Sequence, residues 1–196
     1  PDDNSATTPA ISVQPAAIVA VADVFPGVIA SAGGTTSSVL VNDTLGGAPV
    51  VAADLIVMLP AAPTGFSIGT DGRITVPGGA PAGRTSLDYQ ICERVSPSNC
   101  ATASATFVIA PSTLSDSYNV ASGTPSFSGT VASNDNAPPN AVYTATSAVP
   151  AGLVFNADGS FTLAPAGGIL SPVSFDYRVC LPAPDAAVCA SASADV

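Results

Sequence analysis

The chain of 196 residues contains no histidine, no lysine and no tryptophan. Histidine is the usual general base of enzymes and lysine the usual amine nucleophile, so their absence excludes most catalytic mechanisms. The four basic residues are all arginines, they face 14 acidic residues, and the formal net charge is −10. Nucleic acids and anionic membranes bind clustered cations, which this chain lacks. We therefore expect a non-enzymatic protein with no catalytic residue, no cofactor and no nucleic-acid partner.

Long hydrophobic runs are also missing. A membrane-spanning helix needs about 20 apolar residues, and the longest run near the start, residues 16–22, is ended by Asp23. We expect no membrane insertion. The sequence opens at Pro1 with neither a methionine nor a basic segment, which indicates a processed product or an excised fragment.

The sequence resembles itself at an interval of roughly 90 residues, the spacing of a tandem repeat. Residues 63–76 align with residues 150–163, and residues 87–92 align with residues 175–180. We predict an N-terminal orphan strand or linker over 1–14, a first domain over 15–110 and a second over 111–196.

Each copy has the pattern of short strands. Runs such as Ser37–Val41, Arg73–Val76, Ser86–Cys92 and Thr102–Ile109 are β-branched or alternating, and Gly, Pro, Asn or Asp bounds them. No segment has the apolar spacing of an amphipathic helix. About seven such strands in roughly 90 residues predict an all-β protein of two tandem immunoglobulin-like β-sandwiches.

Two Asp-Gly pairs, at residues 71–72 and 158–159, lie between predicted strands. Asp-Gly is the sequence most typical of a two-residue type I′ turn, because both central positions need a positive φ. We expect a tight hairpin at each pair.

Four cysteines recur in the same place of each copy. Cys92 and Cys100 enclose seven residues, and Cys180 and Cys189 enclose eight. We predict two disulfides, each at the ends of a hairpin loop between the last two strands of its copy. Such bonds persist outside the cytosol. A zinc site is disfavoured, since histidine is absent and the spacing differs from that of zinc knuckles.

The succession Val39–Thr44, Asp71–Val76 and Leu87–Cys92 resembles the bacterial immunoglobulin-like (cadherin-like) repeats found in tandem in large surface proteins. The resemblance covers nearly the whole chain, once from about Asp23 and again from about Asp116. It implies an exported stalk, adhesin or surface fibre without catalytic residues.

Paired acidic residues offer a candidate calcium site in each copy. Asp23 with Asp43, and Asp116 with Asp135, could meet at one end of each sandwich. Calcium takes six to eight oxygen ligands, however, and each copy supplies two recurrent carboxylates. The alternative, which we favour, is that Asn42 and Asp43, like their counterparts, bond their own backbone to end a strand. We therefore predict no metal site.

Three further polar residues have two readings each. Asn42 begins an Asn-Asp-Thr glycosylation sequon, which the second copy does not share. Tyr89 and Tyr177 precede a cysteine in an alternating strand, where a ligand-stacking role is conceivable. A tyrosine in this position is more often buried, with its hydroxyl bonded to a neighbouring loop.

The N-terminal segment resembles a last strand without a domain before it. Residues 5–15 resemble residues 102–111, which close the first copy, and we assign Ile11 and Val13 to a predicted assembly strand. The segment either belongs to a preceding repeat of a longer array or adds to a neighbouring molecule by β-augmentation. The second arrangement is heterologous and produces a filament if it does not close.

These patterns predict an extracellular structural protein at a bacterial cell surface. We expect the subunit of a fibre assembled head to tail by strand addition, or a segment of a stalk. Its partners would be copies of itself or the neighbouring repeats of a longer chain. The alternative is a ligand- or calcium-binding adhesin module. Low charge, 9% against a usual ~25%, and sheet edges without lysine favour assembly.

Overall fold

A computed structural model describes residues 15–121, 123–167 and 172–196 of the chain. Within these residues the regular structure consists of strands and three short 3₁₀ turns. The first ten strands are β1 (Ile18–Val19), β2 (Asp23–Ile29), β3 (Gly34–Ser38), β4 (Thr44–Leu45), β5 (Ala48–Pro49), β6 (Leu55–Met58), β7 (Ser67–Ile68), β8 (Arg73–Val76), β9 (Gly83–Glu93) and β10 (Ser96–Ile109). The remaining seven are β11 (Asp116–Ser117), β12 (Phe127–Thr130), β13 (Val142–Ala145), β14 (Leu153–Phe155), β15 (Ser160–Leu163), β16 (Ser174–Cys180) and β17 (Cys189–Asp195).

Strands β1 to β10 form the first sandwich. One sheet has the order β2-β10-β9-β6, the facing sheet has the order β3-β8-β7, and a small sheet β1-β4-β5 lies beside them. The first and last long strands, β2 and β10, are parallel neighbours, with Asp23 opposite Ala105 and Ile29 opposite Ile109. This parallel pair places the start and the end of the sandwich side by side in one sheet.

Strands β11 to β17 form the second sandwich with the same arrangement. Its sheets have the orders β11-β17-β16-β13 and β12-β15-β14, and β11 again lies parallel to the last strand, β17. The fold is therefore all-β and built of sandwiches, as the strand pattern predicted.

Alternating burial explains why these segments are strands. In β9 the side chains of Leu87, Tyr89 and Ile91 are buried, while Asp88 between them and Ser86 before them are exposed. Period-two alternation directs one face of the sheet into the core. The second core is richer in aromatic rings and centres on Phe161, Phe175 and Tyr177.

The predicted strand Ser37–Val41 is only partly correct. Strand β3 ends at Ser38, and Val39–Val41 form a 3₁₀ turn. The Ser38 hydroxyl accepts a hydrogen bond from the Leu40 N–H at 3.2 Å. Such a local bond offers the backbone an alternative to the sheet, and it outweighs the β propensity of the valines here.

The Asp-Gly hairpins are present, but the predicted type I′ turn is wrong. Among the described residues only glycines have a positive φ, so Asp71 does not adopt the conformation that type I′ requires. Gly69 and Arg73 are instead joined across a three-residue loop, with Gly69 N–H donating to the Arg73 carbonyl at 2.9 Å. Gly72, with φ 77°, closes a type I turn followed by a bulge. The loop before Ser160 is built in the same way, with Asn156 N–H donating to the Ser160 carbonyl.

The structure joins the cysteines in the predicted pairs, Cys92–Cys100 and Cys180–Cys189. In the first hairpin the expected loop is mostly strand, because β9 and β10 extend to Glu93 and Ser96. Cys92 and Cys100 therefore face each other across paired strands. The longer connection in the second hairpin, residues 181–188, remains a loop.

Two predictions concern the ends of the chain and the membrane. The proposed orphan strand over 1–14, with Ile11 and Val13, lies outside the described residues. No helix in the described ranges is long and apolar enough to cross a membrane.

Candidate functional site

A buried tyrosine and an aspartate fix the segment that leads into the first sandwich. Tyr89 is fully buried and Asp43 is 1% exposed. The Tyr89 hydroxyl lies 2.9 Å from the Val21 carbonyl oxygen and 3.0 Å from Asp43 Oδ1. Asp43 Oδ1 also accepts a hydrogen bond from the Val21 N–H at 2.8 Å. Both polar groups of the Val21 backbone are thus bound immediately before β2 begins.

The same arrangement holds the segment that leads into the second sandwich. Tyr177 is fully buried, and its hydroxyl lies 3.1 Å from the Leu114 carbonyl oxygen and 2.9 Å from Asp116 Oδ2. Asp135 Oδ1 accepts a hydrogen bond from the Leu114 N–H at 3.0 Å. We call each tyrosine with its aspartates and the bound backbone a tyrosine–aspartate clamp.

Different elements of the sandwich supply the parts of the first clamp. Tyr89 comes from the centre of β9, where alternation directs it inward. Asp43 follows the 3₁₀ turn capped by Ser38, which brings the chain back across the end of the sandwich. The Asn42 amide adds contacts of 3.2 Å and 3.4 Å to the Val21 and Ala22 carbonyl oxygens.

The sequence predicted part of this site. The tyrosines are core residues with their hydroxyls on a neighbouring segment, as expected. The aspartates and Asn42 do not end a strand by bonding their own backbone, as we had favoured. They reach a segment about 20 residues earlier, because the sandwich folds that segment over the end of the sheet.

Sequence reasoning missed Tyr118 and Tyr143, which surround the second clamp. The Tyr118 hydroxyl donates to the Thr130 carbonyl at 2.7 Å, and its ring packs edge-on against Phe161. Tyr143 lies on β13 with its ring 6.2 Å from that of Tyr177. The first copy has no tyrosine at either position, so the repeat gave no signal for them.

Burial raises the pKa of every carboxyl group in the clamps. The pKa of Asp43 is raised chiefly by burial, and the bonds from Val21 and Tyr89 offset part of the rise. Burial likewise raises the pKa of Asp23, and the negative charge of Asp43 adds to it. The pKa values of Asp116 and Asp135 rise for the same main reason. These carboxyl groups therefore bind a proton at a higher pH in the folded protein than in the unfolded chain.

The tyrosines share this environment. Burial, with the nearby carboxylates, raises the pKa of Tyr118 and of Tyr143 to about 12. The pKa values of Tyr89 and Tyr177 are also raised, so both remain protonated hydroxyl donors.

The Tyr89 hydroxyl has one hydrogen and faces two acceptors, the Val21 carbonyl and the Asp43 carboxyl group. Each of these acceptors has a further donor. The Asn42 amide donates to the Val21 carbonyl, and the Val21 N–H donates to Asp43.

The two carboxyl groups of each acidic pair lie near each other, and several of their oxygens have protein donors. Asp43 and Asp135 accept backbone N–H groups, and Tyr177 lies against Asp116. Among the residues that the structure describes, no group of three or more acidic, cysteine or histidine side chains is arranged to hold a metal ion. Over the described ranges, Asp23 Oδ2 is the one buried side-chain oxygen or nitrogen without a hydrogen-bond partner.

Comparison with known proteins adds little beyond the fold. No protein-family model matches the chain, and no curated protein sequence matches it significantly.

Among solved structures, the PcdhgB3 EC1-4 structure is 11% identical with a TM-score of 0.41, over 93% of this chain and 48% of that one. The human desmocollin-1 ectodomain is 14% identical with a TM-score of 0.36, over 92% of this chain and 41% of that one. An endo-fucoidan hydrolase of glycoside hydrolase family 107 is 15% identical with a TM-score of 0.31, over 72% and 27%. The chain spans less than half of each of these proteins. Similarities this weak carry no functional argument, and the strand pairing itself defines the fold.

Proposed function

We propose that this chain is a non-enzymatic structural protein of the extracellular space, a subunit of a surface fibre or a segment of a cell-surface stalk. The observation that carries the proposal is the parallel pairing of β2 with β10 in the first sandwich and of β11 with β17 in the second. The proposed division into domains at 15–110 and 111–196 follows the same two sets of sheets.

Parallel terminal strands suit a protein that bears tension. Pulling the start of β2 and the end of β10 in opposite directions loads their shared hydrogen bonds in shear, so several must break together. The pairs from Asp23–Ala105 to Ile29–Ile109 all lie on this path. The clamp adds bonds at Val21, directly ahead of β2. Force on the lead-in segment therefore reaches the whole sheet.

Composition and disulfides support an extracellular site. Each hairpin is closed by a disulfide, a bond that persists in oxidising compartments and is reduced in the cytosol. The absence of histidine and lysine from the whole sequence leaves little acid–base machinery for catalysis. We propose a bacterial cell surface as the location, from the sequence resemblance.

Strand addition from a neighbouring molecule is the proposed mode of fibre assembly. In the first sandwich, Val108 and Ile109 of β10 lie between β2 and β9. At the corresponding end of the second sandwich a groove of about 540 Å³ is lined by residues 117–120, residues 172–174, Asp195 and Val196. The alternating Ile11-Ser12-Val13 of a second copy has the apolar spacing to occupy it. In a longer chain, residues following Val196 would occupy the same groove.

Variants of the N-terminal segment test strand addition in the full chain. Ile11→Asp with Val13→Asp should abolish filaments in negative-stain electron microscopy, because the charges would have to enter the groove. Ser12→Asp is the matched control and should still form filaments, since alternation in an added strand would direct this position away from the groove. Normal filaments from the double variant would refute strand addition. A wild-type chain that stays monomeric would favour the stalk.

A calcium-binding adhesin module is the second candidate, favoured by the unpartnered Asp23 Oδ2 beside Asp43. Titration calorimetry with calcium chloride distinguishes the two functions. Saturable binding that is lost in Asp23→Asn and kept in Asp88→Asn, an exposed position on β9, would favour the adhesin. A structural spacer should show no saturable heat.

A further inference from the structure

Asn136 joins the two sandwiches through its side-chain amide. Its Nδ2 donates to the Ala80 carbonyl at 2.8 Å, and its Oδ1 accepts from the Ala82 N–H at 3.2 Å. The backbone of Asn136 also exchanges two hydrogen bonds with Ser112 in the connecting segment. Ala80 belongs to the core of the first sandwich. One residue of the second sandwich thus binds both the first sandwich and the chain between them.

An ion pair makes a second contact between the sandwiches. Arg84 on β9 binds Asp185 in the loop between β16 and β17 with two parallel contacts, Nη2 to Oδ1 at 2.7 Å and Nε to Oδ2 at 3.1 Å. The Asp185 side chain is only 14% exposed. A two-pronged arginine–carboxylate contact fixes direction as well as distance.

The connecting segment is itself attached to the second sandwich. The Thr113 hydroxyl donates to the Ser191 carbonyl at 2.8 Å, and the neighbouring Leu114 is held by the Tyr177 clamp. On the first sandwich, the Ala110 N–H donates to the Ile29 carbonyl at 2.8 Å. The connecting segment between Ala110 and Leu114 is therefore bound at both ends.

Apolar contacts lie between these polar ones. Leu181 is 1% exposed but belongs to neither core cluster. It lines a cleft of about 310 Å³ between the sandwiches, together with Gly83 and Pro138. A side chain added at Gly83 would lie 3.9 Å from the Pro138 ring, so the two surfaces approach van der Waals contact. The cleft beside this buried leucine is thus lined by residues of both sandwiches.

From these contacts we propose that the two sandwiches form one rigid body, held together by protein contacts and without a metal ion. The Asn136 amide, the Arg84–Asp185 pair and the bound connecting segment are three separate points of attachment. Three points restrict both bending and twisting, whereas the connecting segment alone would permit both.

The oxygens that a cation would need at this junction are already occupied. Asp135 accepts the Leu114 N–H, Asp116 lies against Tyr177, and the Asn136 amide oxygen accepts the Ala82 N–H. Protein donors thus take the place that a cation would fill. A chelator should therefore not change the relative orientation of the two sandwiches.

Residual dipolar couplings of the backbone amides of the full chain test this proposal. With EDTA present, couplings from the first and second sandwiches should fit one alignment tensor, and added calcium chloride should not change it. Separate tensors in EDTA, or a common tensor that forms only with calcium, would overturn the proposal.

Variants identify the contacts responsible. The double variant Asn136→Ala, Arg84→Ala should lose the common tensor, while amide chemical shifts away from the junction stay unchanged and show that both sandwiches remain folded. The matched control is Asn156→Ala with Arg178→Ala, two side chains that bond only within the second sandwich. It should keep the common tensor. A common tensor in the junction variant would overturn the proposal, independently of whether the chain forms fibres.

Discussion

Single residues in the clamps connect positions that are far apart in the sequence. The Tyr89 hydroxyl reaches the backbone of Val21, 68 residues earlier, and Tyr177 reaches Leu114, 63 residues earlier. The recurrence of a tyrosine and an aspartate in both copies could be read from the sequence. The backbone groups that they bind could not be predicted from the sequence. Every residue has the same backbone carbonyl, and only the fold determines which one lies near the tyrosine.

Removing the clamp hydroxyl should destabilise the first sandwich. Tyr89→Phe removes the buried hydroxyl that contacts Asp43 and the Val21 carbonyl, and leaves each acceptor with one donor fewer. Loss of a buried hydrogen bond whose partner is left under-satisfied costs about 1–3 kcal/mol. Urea unfolding followed by circular dichroism measures the loss. Tyr118→Phe is the matched control, since its bond to Thr130 is exposed and water can replace it, so its cost should be smaller. Equal losses in both variants would contradict the role of the clamp.

The buried carboxyls should make the protein more stable in mild acid. Their pKa values are raised in the folded state, so the folded protein binds these protons before the unfolded chain does. The free energy of unfolding should rise as the pH falls from neutrality through the raised values, and this gain should be complete near the unfolded value of about 3.9.

An asparagine substitution separates this effect from the general relief of negative charge. Asp43→Asn keeps an oxygen for the Val21 N–H and removes one titrating group, so the rise with acid should be smaller than in the wild type. Urea midpoints of the variant and the wild type, measured across this pH range, give the two slopes to be compared. An identical slope in the variant would show that Asp43 does not contribute.

Elements depend on local rules that the sequence shows only in part. Strand β8 was predicted with its observed bounds, because Arg73–Val76 alternate between exposed and buried positions. The end of β3 was not predicted correctly. The Ser38 hydroxyl bond favours a 3₁₀ turn of only three residues, and over so short a segment it competes with the β propensity of the valines. Asp-Gly likewise indicated a hairpin, but it did not indicate that the loop has three residues instead of two.

The Asp-Gly loops should tolerate no side chain at the glycine. Gly72 has φ 77°, and an added Cβ would lie 2.6 Å from both Leu40 Cγ and Ser38 Oγ. Gly72→Ala should lower the free energy of unfolding by about 1–3 kcal/mol, the usual cost of a strained backbone. Gly27→Ala is the control, because its Cβ would meet no atom within 4 Å. It should change stability by less than about 0.5 kcal/mol. A larger loss of stability in Gly27→Ala than in Gly72→Ala would contradict the turn geometry.

Each hairpin disulfide should contribute a similar stability. The bonds close short loops with sequence separations of 8 and 9, for which the loop-entropy estimate is about 2.5 kcal/mol each. Alanine pairs at Cys92 and Cys100, and separately at Cys180 and Cys189, should lower the unfolding free energy by this amount. A thiol assay of the native protein should find no free thiol, and four free thiols would remove the argument for an oxidising compartment.

At the scale of the whole molecule, the chain is two sandwiches with parallel terminal strands and a junction formed by direct contacts. The fold class was predictable, because turn residues and alternating strands repeat along most of the sequence. The junction was not, since Arg84 and Asp185 lie 101 positions apart and Asn136 has no counterpart in the first copy, where Thr44 stands. A contact that occurs once, between the two sandwiches, leaves no recurring pattern in the sequence from which it could be predicted.

Single-molecule force spectroscopy of the full chain, pulled from its two ends in EDTA, tests whether the sandwiches resist tension. We expect two separate unfolding peaks of high force, one for each sandwich. Tyr89→Phe should lower the force of only one of these peaks. Extension at low force without peaks, or two peaks unchanged by the variant, would contradict the proposal that the sandwiches bear tension.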